Sequence, residues 1–242
     1  VGLAPADADH DALATLTAAA EGRIELLILL GADPLNDRPD ADLARRAIAG
    51  ARRILSIDTF ACESTQHADV VLAASAYGEK SGTTTNLEGR VTALAQQVTA
   101  TGTSRPDWMI AVELGLMTGE RSFGPDHPLR GVSNVTDVTE LISSSVPAFD
   151  GVTVEALEAA PNGVVIGAVF DPPAPVAFSA PGRNSYDYRL VVSRKLYDRA
   201  VGTQMSRSLV HLAPGSAVHV HPLDLDAIGV DEGSDVKVVS AQ

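Results

Sequence analysis

Two stretches of this sequence gather side chains able to hold a polar ligand. The first, GADPLND at residues 31–37, directly follows the apolar run Ile24 to Leu30. Open parallel sheets place ligands beyond the carboxyl ends of their strands, where the next helix offers unpaired N–H groups to anions. Gly31, Asp33 and Pro34 are therefore candidates for holding a nucleotide or pterin phosphate. The same residues also suit a plain strand-to-helix connection in which Asp33 and Pro34 serve as turn and cap. The turn is not a GxGxxG fingerprint, and the negative charge of Asp33 opposes an approaching anion.

The second stretch, GEKSGTTTNLEGR at residues 78–90, offers Glu79, Lys80, Thr83, Thr84, Thr85, Asn86, Glu88 and Arg90 within one loop or hairpin. These are enough donors and acceptors for a polar ligand, but no GK[ST] follows a four-residue spacer, which excludes a P-loop. The competing reading has Asn86 and the threonines satisfying the loop's own backbone while Glu88 and Arg90 pair locally. Elsewhere, His219 and His221 share one face of an expected strand, yet no third metal ligand is near them in sequence. Cys62 has no neighbouring base or cation to activate it and reads as a small, buried or half-buried thiol. No serine elbow or nucleophilic triad is present. The expectation is no catalytic residue and no metal site within this chain.

The elements that position these loops follow from periodicity. Residues 11–21 read as a helix, Ile24 to Leu30 as a buried strand, and DADLARRAIAGA as a helix with Leu43, Ala47 and Ile48 on one face. RRILSIDTF and DVVLAAS supply two more strands around the short ESTQHA segment. Strand, helix, strand, short helix, strand implies a doubly wound parallel sheet in an α/β domain. Pro106 opens a helix with Trp108, Met109, Val112 and Leu116 along its apolar side and Gly119 at its end. NVTDVTELISSSV forms another before Pro147. DPPAPVAFSAP reads as a stiff linker. The expected division is an α/β domain over 1–170, a Pro-rich linker over 171–185, and a mainly β domain over 186–242. That last part has strands in YRLVVSRKLYD, SAVHVHPLDLDAIGV and DVKVVSA, with a short helical insert after Pro222.

Composition narrows the function classes. The chain has 242 residues, 45% hydrophobic and 20% charged, with Lys+Arg 18 against Asp+Glu 31 and a net charge of -13. An acidic surface of this kind excludes nucleic acid as a partner. No apolar run approaches the roughly 18 residues needed to span a bilayer, so direct membrane insertion is not expected. One cysteine supplies neither disulfides nor an iron–sulfur cluster. The absence of an initiating Met and the strand-like VKVVSAQ end lead to the expectation of a fragment whose final barrel is incomplete.

Taken together, GADPLND, CESTQHADVVLAASAYGEKSGTTTNLEGRV and SAVHVHPLDLDAIGVDEGSDVKVVS resemble the molybdopterin oxidoreductase superfamily. Its members carry G-x-N-P, E-T-x-x-x-A-D-V-V-L-P, E-x-x-G-T-x-x-N-x-E-G-R and a terminal N-P-x-D-A-x-x-L-G-I-x-x-G. Glu63, Ala68, Asp69, Val70, Val71, Leu72, Glu79, Gly82, Thr83, Asn86, Glu88, Gly89 and Arg90 fall on the middle patterns. The resemblance implies a Rossmann-like lobe followed by a double-psi β-barrel. Asp33 stands where cofactor-binding members have Asn, Ala73 replaces the Pro of V-V-L-P, and His221 replaces the Asn before Pro222.

These departures, with GTTTNLEGRV and RPDWMIAVELG, are similar to the family of the large iron–sulfur subunit, the G subunit, of bacterial NADH-quinone oxidoreductase, respiratory complex I. That likeness implies a scaffold peripheral on the cytoplasmic side of the bacterial inner membrane and touching other peripheral-arm subunits. The iron–sulfur clusters would lie upstream, and the fragment would be inactive alone. It also implies that Gly31, Asp33, Pro34, Glu79, Gly82, Thr83, Asn86, Glu88, Gly89 and Arg90 are vacant relics of molybdopterin-type loops. The alternative is a piece of an active bis-molybdopterin guanine dinucleotide enzyme such as a formate dehydrogenase.

Overall fold

The structure, a computed structural model, describes residues 11–117, 124–166, 188–193, 200–213 and 215–239. Its contacts divide into two units, Val1–Ser185 and Tyr186–Gln242.

Local chemistry sets the first helices. Asp11 caps α1 (Ala12–Ala20) by accepting the Ala14 N–H at 2.7 Å, and Asp40 caps α3 (Ala41–Gly50) through the Leu43 N–H at 2.9 Å. Between them lies the single turn α2 (Pro34–Asp37), with Pro34 at its first position. Strands β1 (Leu27–Leu30), β2 (Ile54–Asp58) and β3 (Val70–Ala73) pair in parallel in the order β1-β2-β3. The expected parallel sheet is present, built from strands shorter than the apolar runs that announce them.

Register decides which side chains share a face. Leu27 lies opposite Ile54, so Leu27, Leu29 and Ile54 face one side, where Ile48 joins them in a buried cluster. A second cluster on that side joins α1 to α3 through Leu16, Ala19, Leu43 and Ala47. Leu55 and Ile57 face the other side and pack with Ala74, Leu72, Ile110 and Leu114. Ile110 and Leu114 belong to α4 (Asp107–Met117), so helices cover both faces of the sheet. The expected stripe on α4 missed Ile110, which is its buried residue. The helix is apolar nearly all round, and periodicity then selects no face. Its expected end at Gly119 lies outside the described residues.

A second, antiparallel sheet follows the loop. β4 (Gly82–Thr85) and β5 (Arg90–Leu94) form a hairpin, and β6 (Val164–Val165) pairs with β5 on its other side. Val91, Val152, Leu157 and Ile166 form its buried cluster, with Leu157 supplied by α6 (Val154–Ala159). Before it, α5 (Val135–Ser145) starts in a reciprocal box. The Asn134 side chain takes the Asp137 N–H, and Asp137 takes the N–H groups of Ser133 and Asn134. Asp137 is held below the usual carboxylate range by these bonds, with Ser133 the largest cause.

The second unit differs from its expectation. Among the described residues of 186–242 no strand is assigned. The ordered elements are α7 (Val201–Gln204), a 3₁₀ turn at Val210–Leu212, and the expected helix after Pro222, α8 (Pro222–Ile228). The apolar alternation is there, but Val218, Val220, Val236 and Val238 stand exposed. A strand exists only through the ladder it shares with another, and here these segments have no such neighbour among the described residues. The expected linker at 171–185 lies outside the described residues.

Candidate functional site

The carboxyl end of the parallel sheet is organised by Asp33. It is 2% exposed, and its Oδ1 accepts the backbone N–H of Ser64 at 3.0 Å and the Ser64 hydroxyl at 2.5 Å. The Asn36 side-chain amide donates to Oδ2 at 2.7 Å. Burial pushes the Asp33 carboxyl up, but the bonds from Asn36 and Ser64 outweigh it and the net shift is downward, so the group is ionised. Asp33 is thus a clasp between the loop after β1 and the loop after β2. Sequence reading placed its charge facing an incoming anion, whereas the structure turns the carboxylate inward onto Ser64, 31 residues away. Ser64 is the site residue that sequence reading missed, and nothing local to either residue announces the pairing. Gly31, by contrast, stays exposed at the strand end, and Pro34 is buried in the first turn of α2.

Next to this clasp, Asp58 at the end of β2 accepts the Phe60 N–H at 3.0 Å, and the Cys62 sulfur lies 4.0 Å from its other oxygen. Cys62 is buried, as expected. Burial pushes its thiol up, and the negative charges of Asp33 and Asp58 push the same way, which leaves a neutral thiol and no nucleophile.

The 78–90 loop spends its polar groups on itself. The Asn86 Oδ1 accepts the N–H groups of both Glu88 and Arg90 at 2.9 Å, while the Asn86 N–H donates to the Arg90 carbonyl at 3.0 Å. Gly89 completes this turn at φ +75°, a conformation that disfavours side chains. Arg90 donates to Glu88 and to the Asn162 carbonyl, each at 3.3 Å, tying the hairpin to the segment before β6. Glu79 accepts the Ala76 N–H at 2.9 Å and the Thr101 hydroxyl at 3.3 Å. Lys80 pairs with Asp107 at the start of α4. Thr84 receives the Tyr77 hydroxyl at 3.3 Å and faces the Thr92 hydroxyl at 3.2 Å. Gly82 and Thr83 lie on β4, with Thr83 exposed. Asn86→Ala is expected to lower stability by about 1 kcal/mol, because two loop N–H groups lose their acceptor at an exposed site; denaturant titration checks this.

Two other motif residues also serve the backbone. The Asp69 Oδ2 accepts the Ile54 N–H at 2.8 Å and Oδ1 accepts from Arg53 at 2.8 Å, fixing the start of the β2–β3 pairing. The bond from Ile54 is the main cause that holds its carboxyl below the usual range. His221, in place of the pattern's Asn, caps α8 by accepting the Leu223 N–H on Nδ1 at 3.2 Å. It is therefore engaged as a cap, and no metal-ligand group occurs among the described residues.

The structure does not bring the two predicted loops into one bonded site. Gly31, Asp33 and Pro34 end a strand of the parallel sheet, whereas Gly82, Thr83, Asn86, Glu88, Gly89 and Arg90 belong to the antiparallel one. No hydrogen bond or ion pair joins the two sets among the described residues. A pterin dinucleotide brings phosphates that need donors. At the first loop they would meet an inward-bonded carboxylate, and at the second an Arg90 already shared between Glu88 and Asn162. These residues do not fit such a group. No helix among the described residues is long and apolar enough to cross a membrane.

Comparison with known proteins agrees with the motifs. Residues 5–116 match the molybdopterin oxidoreductase family model. The chain is 29% identical over 97% of its length to NADPH-Fe(3+) oxidoreductase subunit alpha of Geobacter sulfurreducens, covering 26% of that protein. It is 29% identical over 98% of its length to the second G subunit of NADH-quinone oxidoreductase of Rhizobium meliloti, covering 27% of it. It is 25% identical over 90% of its length to the F420-dependent formate dehydrogenase subunit alpha of Methanocaldococcus jannaschii, covering 35% of it. The chain thus spans only about a quarter to a third of the length of these relatives.

Proposed function

We propose that this chain, whose residues 5–116 match the molybdopterin oxidoreductase family model, is a cofactor-free scaffold region of an oxidoreductase subunit of the kind that forms the large iron–sulfur component of NADH-quinone oxidoreductase. The observation that carries this reading is the Asp33 clasp: a buried, ionised carboxylate bonded to Ser64 and Asn36 stands where pterin-binding relatives of the pattern present Asn. In this reading the loops at Gly31–Pro34 and Gly82–Arg90 are retained because they hold the sheets together. Electrons from NADH pass through iron–sulfur clusters elsewhere in the parent subunit, and this chain contributes contacts to other peripheral-arm subunits on the cytoplasmic side of a bacterial inner membrane. Residues 186–242 are its part of a barrel of the molybdopterin-dinucleotide-binding kind, whose strands form ladders when the neighbouring strands are supplied.

The test is metal and pterin analysis of the purified parent polypeptide together with its NADH-linked reduction. Iron and acid-labile sulfide with molybdenum and pterin at background is the expected result. Stoichiometric molybdenum and pterin would overturn the reading in favour of an active formate-dehydrogenase-like enzyme, the class to which the Methanocaldococcus jannaschii relative belongs by name.

A further inference from the structure

The tripeptide His-Pro-Leu occurs at residues 127–129 and again at 221–223, and the chain folds both copies alike. In each, the backbone N–H of the leucine donates to the histidine Nδ1, at 3.1 Å for Leu129 on His127 and at 3.2 Å for Leu223 on His221. In each, the residue after the leucine donates its N–H to the histidine carbonyl at 2.9 Å, Arg130 to His127 and Asp224 to His221. Proline accounts for this form. It has no N–H of its own, so the first donor within reach of the ring lies two residues on, and it keeps the residue before it extended, as His221 is at φ -66° and ψ 143°.

Each turn holds something in place. A Cβ on Gly115 of α4 would overlap the Leu129 Cδ1, so Leu129 fills the space that this glycine leaves on the helix covering β2 and β3. Leu223 is the second residue of α8, where a backbone N–H finds no acceptor within the helix and depends on the His221 ring.

Both bonds depend on the charge of the ring. A backbone N–H can only donate, so Nδ1 must offer a lone pair. The neutral imidazole with its proton on Nε2 does so, whereas the imidazolium carries N–H groups on both nitrogens and has no acceptor left. Histidine changes charge within the range of about pH 5 to 8. Asp126 and Arg130 flank His127 within its own turn. On α4, against which Leu129 packs, Asp107 and Glu113 are paired with Lys80 and Arg105, and at the start of α5 Asp137 is bonded to Ser133 and Asn134. The titratable groups beside His221 are His219 before it and Asp224 and Asp226 on α8, with His211 in the Val210–Leu212 turn. Among the described residues none of these bonds to either ring.

We propose that the two His-Pro-Leu turns are proton-released latches: protonation of His127 and His221 breaks the bond from the leucine N–H, which unseats Leu129 from Gly115 and uncaps α8. The bonds are made at the neutral end of the range and lost toward acid.

Nuclear magnetic resonance of the isotope-labelled 242-residue chain tests this from about pH 8 down to about pH 5. At the upper end the rings of His127 and His221 are expected in the single form protonated on Nε2, while those of His67, His211 and His219, which bond to nothing among the described residues, show the mixture of a free imidazole. Toward acid, protection of the Leu129 and Leu223 amides against exchange, corrected for the intrinsic pH dependence, falls about fivefold, as for the loss of one hydrogen bond, and the Leu129 methyl resonances move in step. His127→Asn and His221→Asn supply an acceptor that does not titrate, so each keeps its leucine amide protected and flattens that curve. His127→Phe and His221→Phe leave the amide unprotected at every pH. Leucine protection in the wild-type chain that is equal at both ends of the range overturns the proposal. So does a pH dependence that persists in the Asn variants, which would assign it to Asp126 or Asp224.

Discussion

Asp33→Ala is expected to lower the stability of the first unit by about 3 kcal/mol, since it leaves the buried Ser64 N–H and hydroxyl and the Asn36 amide without their acceptor. Asp33→Asn should cost less than half as much. Its carbonyl oxygen still accepts from Ser64, and only the contact with Asn36 becomes amide against amide until Asn36 rotates. The pH dependence follows from the direction of the shift. The folded carboxyl titrates below its unfolded value, so its contribution is fully present above the unfolded value of about 3.9 and is lost as pH falls through the folded one. The gap between the denaturant midpoints of wild type and Asp33→Asn should therefore change as pH falls below the unfolded value of about 3.9. A constant gap between them would mean that Asp33 is not the titrating clasp.

Gly163→Ala is expected to be at least as damaging, by about 3 kcal/mol or more, and for a different reason. Gly163 has φ +79°, and a Cβ built there would overlap the Val91 carbonyl oxygen and lie 2.7 Å from a methyl of Thr92. The backbone cannot relax without separating β6 from β5, because Val164 is the very next residue and pairs with Val91. Positive-φ strain and steric overlap thus add. Thermal unfolding of the variant, compared with an alanine at Gly151, provides the control. Gly151 has φ +76° but open space around it, so it isolates the conformational part, and similar losses at both positions would show that the β5–β6 contact contributes little.

Much of the fold was legible because it is written locally. The apolar runs around Leu27, Ile54 and Val70, the helices that begin at Ala12 and Ala41, and the self-bonding of Asn86 each depend on residues a few positions apart, and each appears where expected. What escaped is non-local. The Asp33–Ser64 bond spans 31 residues, and a two-residue motif cannot name its partner. Ile110 was passed over because a helix apolar on nearly every side gives periodicity no preferred direction. The strands expected around Val220 and Val238 failed as a prediction among the described residues for the same reason in reverse. Their alternation records a preference for sheet, while the ladder depends on which other segment is present to receive them.

The bonding of Asp69 and Asn86 bears on how signatures of this kind are used. Both residues sit squarely on the pattern, and both place their side-chain oxygens on backbone N–H groups of the chain itself: Asp69 on Ile54, Asn86 on Glu88 and Arg90. Changing either residue would take an acceptor away from the backbone of the hairpin turn or of the strand start, whether or not a ligand is held. At these two positions the letters therefore identify an architecture and do not by themselves report a bound cofactor.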